Sequence, residues 1–72
     1  MNINELFGKT IRKMREEKGV SQEKFALNIG MDRSYYATIE SGKHNITLSK
    51  IEDIARGLNT TVSYIFIEME KK

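Results

Sequence analysis

Apolar residues recur at spacings of three and four in successive stretches of the chain, and glycine or a capping residue separates one stretch from the next. Leu6, Phe7, Thr10, Ile11 and Met14 form one stripe of a helix predicted from Asn4 to Lys18, which Gly19 stops. Ser21 is a good N-cap for a short second helix, QEKFALNI, in which Phe25, Ala26 and Ile29 share a face and Gly30 supplies a tight exit. Asp32 caps a third helix, Arg33 to Glu40, with Tyr36 and Ile39 inward and Gly42 ending it. Thr47 caps a fourth that carries Leu48, Ile51, Ile54, Ala55 and Leu58 inward and Lys50, Glu52, Asp53 and Arg56 outward, with Gly57 blurring its end.

The last stretch, VSYIFIEME, is rich in β-branched and aromatic residues and reads as a strand by propensity alone. A lone strand among four helices has no pairing partner, so a fifth helix is predicted over about 62–70, capped by Thr60 or Thr61. The expectation is an all-α, five-helix, single-domain chain over 1–72, with a fraying tail at EMEKK. Ile65, Phe66, Ile67 and Met69 are too many apolar groups for one inward stripe, so part of this helix is expected to serve self-association.

The third helix poses a separate question, because Arg33, Ser34, Tyr35 and Thr38 occupy positions a core does not want. Residues 21–41 answer it. Counting from Gln22, small Ala26 stands fifth, Gly30 ninth, and apolar Tyr36 and Ile39 fifteenth and eighteenth. The fifth position lies where two helices cross and excludes bulk, and the ninth must turn the chain sharply. Together these are the requirements of a helix-turn-helix. The second helix of that motif enters the DNA major groove with its N-terminal residues toward the bases, which assigns base contact to Arg33, Ser34, Tyr35 and, one turn on, Thr38. A guanidinium matches guanine O6 and N7 in a bidentate pair, the hydroxyls donate or accept, and Tyr35 can pack on a thymine methyl. Ala37 is a close-approach position. Ser41, Lys43, His44 and Asn45, which follow the helix, are placed to reach phosphates.

The run IRKMREEKGVSQEKFALNIGMDRSYYATIESGKHNITLSKIEDIARGLN resembles the lambda-repressor-like, or Xre/Cro, family in its basic first helix, its S-Q-E start, its I-E-S-G-K helix end and the apolar helix that follows. Within that family, DRSYYATIESGKHNITL is similar to the small controller proteins of restriction-modification systems. The resemblance implies a transcriptional regulator that binds a pseudo-palindromic operator as a homodimer through its last helix, with contact to RNA polymerase as a further expectation. It also implies that Gln22 contacts a phosphate at the start of the second helix and that Arg15 and Glu40 form a buried or half-buried ion pair. An antitoxin or a phage-type repressor is the alternative within the same chemistry, and a protein-interaction module is the alternative outside it. Tyr36 departs from the smaller aliphatic residue usual at its position, and its hydroxyl is expected at the rim of the core.

Composition narrows the classes further. The net charge is only +2, but residues 9–24 carry six Lys or Arg against three Glu, while residues 51–70 carry four acids against Arg56. That asymmetry suits a surface facing a polyanion. The chain has no cysteine, and His44 is the only histidine, so no metal site and no cofactor is expected. Ser21 has no base beside it, and Asp32, Glu23 and Glu40 make no catalytic set, so an enzyme is disfavoured. MNINELFGK lacks the basic and apolar pattern of a secretory signal, and a cytoplasmic location is expected.

Overall fold

A computed structural model describes residues 1–71. Five helices follow one another: α1 (Ile3–Glu17), α2 (Gln22–Asn28), α3 (Arg33–Glu40), α4 (Leu48–Gly57) and α5 (Val62–Glu70). Each begins on a side-chain cap. Ser21, Asp32, Thr47 and Thr61 accept from the backbone N–H groups of Lys24, Tyr35, Lys50 and Tyr64, which satisfies donors that a helix start otherwise leaves orphaned. α1 starts one residue earlier than its apolar stripe indicates, because Asn2 and Glu5 close a reciprocal capping box. α5 stays helical to Glu70 where a fraying tail was expected, and Lys72, the last residue of that tail, lies outside the described residues.

The helix ends require backbone that few residues adopt. Gly30, at φ +68°, makes the sharp turn between α2 and α3. At the end of α4 the same conformation falls to Asn59, at φ +57°, two residues beyond Gly57. Gly57 has another reason to be glycine, since a methyl group there would run into Ile29 and Phe25 and push α4 off α2.

One core takes a side from every helix: Phe7 and Ile11 of α1, Phe25 and Ala26 of α2, Tyr36 and Ile39 of α3, Ile51 and Ile54 of α4, Ile65 and Met69 of α5. α1 lies against α3 and α5, α2 against α3, and α4 against α5. The Phe25 and Tyr36 rings meet at 5.1 Å and 42°, joining the two helices of the helix-turn-helix. Among the described residues no helix is long and apolar enough to cross a membrane.

Three sequence expectations are corrected by this packing. Leu48 is 78% exposed, because the first residue of α4 projects past the edge of the core that Ile51 and Ile54 fill. Tyr36 is not at the rim but fully buried, with its hydroxyl lacking a hydrogen-bond partner among the described residues. Ile65 and Met69 are enclosed by the monomer's own core and are not free to form a joint surface, whereas Ile67 is 55% exposed and Phe66 half-buried.

Candidate nucleic-acid interface

The C-terminal end of α3 is locked into the protein. Arg15, from α1, donates from Nε to Glu40 Oε2 at 2.7 Å and from a terminal nitrogen to Glu40 Oε1 at 3.1 Å, a two-point fit of guanidinium to carboxylate. Its other terminal nitrogen donates to the Val20 carbonyl at 2.6 Å, so one side chain ties together α1, the α1–α2 turn and α3. Gln22 Nε2, at the first position of α2, donates to Glu40 Oε1 at 2.9 Å. Burial works against the charge on Glu40, but the bonds from Arg15 and Gln22 outweigh it and hold the carboxyl below its ordinary value. Burial, then the neighbouring Glu40 carboxylate, push the Tyr36 phenol well up.

Gly8 makes this junction possible. A methyl group on it would sit inside the carbonyl oxygens of Ile39 and Glu40, so α1 rests directly on the backbone of the last turn of α3. Sequence reasoning passed over Gly8, because a glycine inside a helix registers only as a weak former.

The N-terminal end of α3 is the opposite case. Arg33 and Ser34 are exposed, and among the described residues Arg33 has no ion-pair partner. Tyr35 is half-buried, its ring 5.8 Å from the ring of His44 and beneath the Lys50 ammonium, 6.0 Å from its centroid. Lys50, assigned to the outer face of α4 by its spacing, thus leans onto the recognition helix. Thr38 is half-buried and its hydroxyl donates to the Tyr35 carbonyl at 2.6 Å, which leaves its methyl and the oxygen's lone pairs for any further contact.

Around this face lie the side chains read as phosphate contacts. Lys43 and His44 are exposed just beyond the helix. The Ser41 hydroxyl donates back to the Thr38 carbonyl at 2.8 Å. Asn45 Oδ1 accepts from Asn4 at 2.7 Å, which pins the α3–α4 connection to the start of α1 and leaves the Asn45 amide N–H groups without a partner among the described residues. The second amide hydrogen of Gln22 has no acceptor among the described residues, and the bond to Glu40 fixes its direction. No local signal in the chain reveals the Asn4–Asn45 link or the Lys50–Tyr35 contact, since each joins residues of different elements. The result is an exposed helix face rich in donors, on which the Asp32 side chain is engaged in capping the helix at Tyr35.

Comparison with known proteins agrees with this geometry. The family model described as "Helix-turn-helix" matches residues 11–65. Control protein C.MunI of a Mycoplasma species is 46% identical over 67 residues, covering 92% of this chain and 90% of that protein. The restriction-modification controller protein C.AhdI from Aeromonas hydrophila superposes with a TM-score of 0.83 at 37% identity, covering 86% of this chain and 94% of that one. The controller C.Esp1396I, solved as a tetramer in complex with its natural 35 base-pair operator, superposes with a TM-score of 0.83 at 29% identity over 99% of this chain and all of that one. A five-helix fold, a helix-turn-helix at α2–α3 and these relatives place the chain in the lambda-repressor-like helix-turn-helix family of DNA-binding transcription regulators, to which it belongs.

Proposed function

We propose that the protein is a controller of the restriction-modification type: a homodimer that occupies a pseudo-palindromic operator and thereby sets transcription of neighbouring genes. The observation that carries this reading is the division of α3, whose first turn offers Arg33 and Ser34 exposed and without a partner among the described residues while its last turn is fixed by Arg15 and Gly8. Arg33, Ser34, Tyr35 and Thr38 contact bases in the major groove. Gln22, Ser41, Lys43, His44 and Asn45 hold phosphates on either side and set the register. Binding rather than chemical conversion is the activity, and it takes place where the DNA is, in the cytoplasm.

Two subunits place their α3 helices one duplex turn, about 34 Å, apart. The surface available for pairing is Ile67 and the open side of Phe66, joined by Ile3, which is 68% exposed at the start of α1. Ile65 and Met69 support that surface from beneath. Occupancy next to a promoter also allows contact with RNA polymerase, which is part of this proposal.

Selection of bound duplexes from a random DNA pool at moderate salt tests the proposal. A two-fold symmetric enriched site is the expected result. A single unsymmetric half-site would remove the homodimer, and no enrichment at all would move the function to protein interaction. Binding should also weaken steeply with salt, because each cation on a phosphate releases condensed counterions.

A further inference from the structure

Three elements converge on one side chain of the proposed reading face. Tyr35 is the third residue of α3, and its backbone is held on both sides: its N–H donates to Asp32 Oδ2 at 3.0 Å, and its carbonyl accepts from Thr38 at 2.6 Å. Its ring is flanked by His44, from the α3–α4 connection, and by Lys50, from the first turn of α4. Among the described residues neither flanking cation-former has a carboxylate partner, so the ring is what each of them packs on. Arg33 and Ser34, two residues and one residue earlier, make no side-chain hydrogen bond within the described residues.

We propose that Lys50 and His44 are positioning residues, which hold the Tyr35 ring in one orientation before DNA arrives and so make Tyr35 the fixed point of the readout, with Arg33 the adaptable one. This rests on the operator-binding reading above. An ammonium over an aromatic face is attracted by the negative potential of the ring, and the attraction grows as the pair is shielded from water. Ordering the ring in advance removes an entropic cost that binding would otherwise incur, and that gain goes to the sequence whose base edge fits the held ring. Lys50 then acts on sequence preference from outside the recognition helix. A lysine that merely touched a phosphate would weaken every sequence alike.

The test uses the full chain and the operator it selects from a random duplex pool. The base pair read by Tyr35 is the one at which Tyr35→Leu alone changes the preference. The quantity measured is the ratio of affinities for the operator and for the operator altered at that pair. Lys50→Gln is expected to lower the ratio about two- to five-fold, the size of an exposed cation–π contact, and Lys50→Arg to restore it. His44→Ala shifts the ratio in the same direction, in addition to an equal loss on both duplexes from its phosphate contact. In the Tyr35→Leu background, Lys50→Gln should leave the ratio unchanged. An equal loss of affinity for both duplexes on Lys50→Gln, whether or not Tyr35 is present, overturns the proposal and makes Lys50 a phosphate contact. A Tyr35→Leu protein with unaltered preference at every position overturns it as well. Failure of the wild-type chain to select any sequence overturns the operator-binding reading itself, before a variant is compared.

Discussion

At one end of α3, Ile39 and Glu40 are buried, the carboxylate gripped by Arg15 and Gln22 and the backbone pressed against Gly8. At the other end, a turn and a half away, Arg33 and Ser34 extend into solvent with no partner among the described residues. A helix of eight residues is too short to hold itself straight in water, so one end has to be anchored for the other to be presented at a fixed angle. The buried charge pair is therefore part of how the exposed end works. Packing by apolar groups alone would anchor the helix as firmly, but a two-point guanidinium–carboxylate fit also fixes its rotation about its own axis.

The sharpest way to break this arrangement is Glu40→Gln, which leaves the Arg15 guanidinium buried without its countercharge. The expected cost is about 3–5 kcal/mol, a large share of what a domain of this size has in total. Urea unfolding measures it, and a loss below about 1 kcal/mol would show that water reaches Arg15. The pH dependence has a definite sign. Because the folded protein holds the Glu40 carboxyl below its ordinary value of 4.5, its contribution is complete above that value and is lost as pH falls through the lower, folded-state one. The gap in stability between wild type and Glu40→Gln should thus be widest near neutrality and narrow in acid. A gap that widened as pH fell would contradict the pairing.

Gly8→Ala tests the same anchor without touching a charge. On helix propensity the change should help by about 1 kcal/mol. Here the added methyl meets two backbone carbonyls, which cannot rotate away as a side chain would, so a net loss of about 1–3 kcal/mol is expected. A thermal midpoint equal to or above that of the wild type would mean that α1 and α3 separate easily.

Gly8 also marks where reading the chain stops short. The caps at Ser21, Asp32 and Thr47, and Thr61 as one of two candidates with Thr60, were available from sequence because each acts on backbone three residues away. The glycine turn at Gly30 was available for the same reason, since its conformational demand is local. Contacts between elements leave no such trace. Leu48 has perfect helical spacing with Ile51 but lies beyond the edge of the core, a matter of where α4 begins relative to the other helices. Tyr36 was expected to keep its hydroxyl near water, yet the space between Phe25 and the Arg15–Glu40 pair encloses it completely. The stripe of α5 was ambiguous because four apolar residues in five positions leave open which of them the monomer covers, and the packing against α1 chose Ile65 and Met69.

At the exposed end, Arg33→Ala should do the reverse of Glu40→Gln. Unfolding free energy should stay within about 0.5 kcal/mol of wild type, as for an exposed residue without a partner. Discrimination at one base pair per half-site should fall by about 1–3 kcal/mol, with non-specific binding nearly retained. Competition between the selected operator and single-base variants reads this directly. Equal discrimination at every position would take Arg33 out of the readout, and a large loss of stability would mean that the two ends of α3 are not separable.

Gln22 is the residue through which the two ends meet, and its substitution gives the smallest and most diagnostic effect. One amide hydrogen is committed to Glu40 at 2.9 Å, and the other is free at the start of α2. Gln22→Ala removes one of the three donors on Glu40 while leaving both Arg15 bonds in place, so a stability loss of about 1 kcal/mol is expected. It should also weaken DNA binding by a similar amount on every sequence, because a phosphate carries no base identity. Unfolding and binding measured on the same preparation separate the two halves of the claim. Loss of stability with unchanged DNA affinity would confine Gln22 to the anchor. Loss that depended on the base sequence would place it among the reading residues, and the division of α3 into an anchored end and a reading end would have to be redrawn.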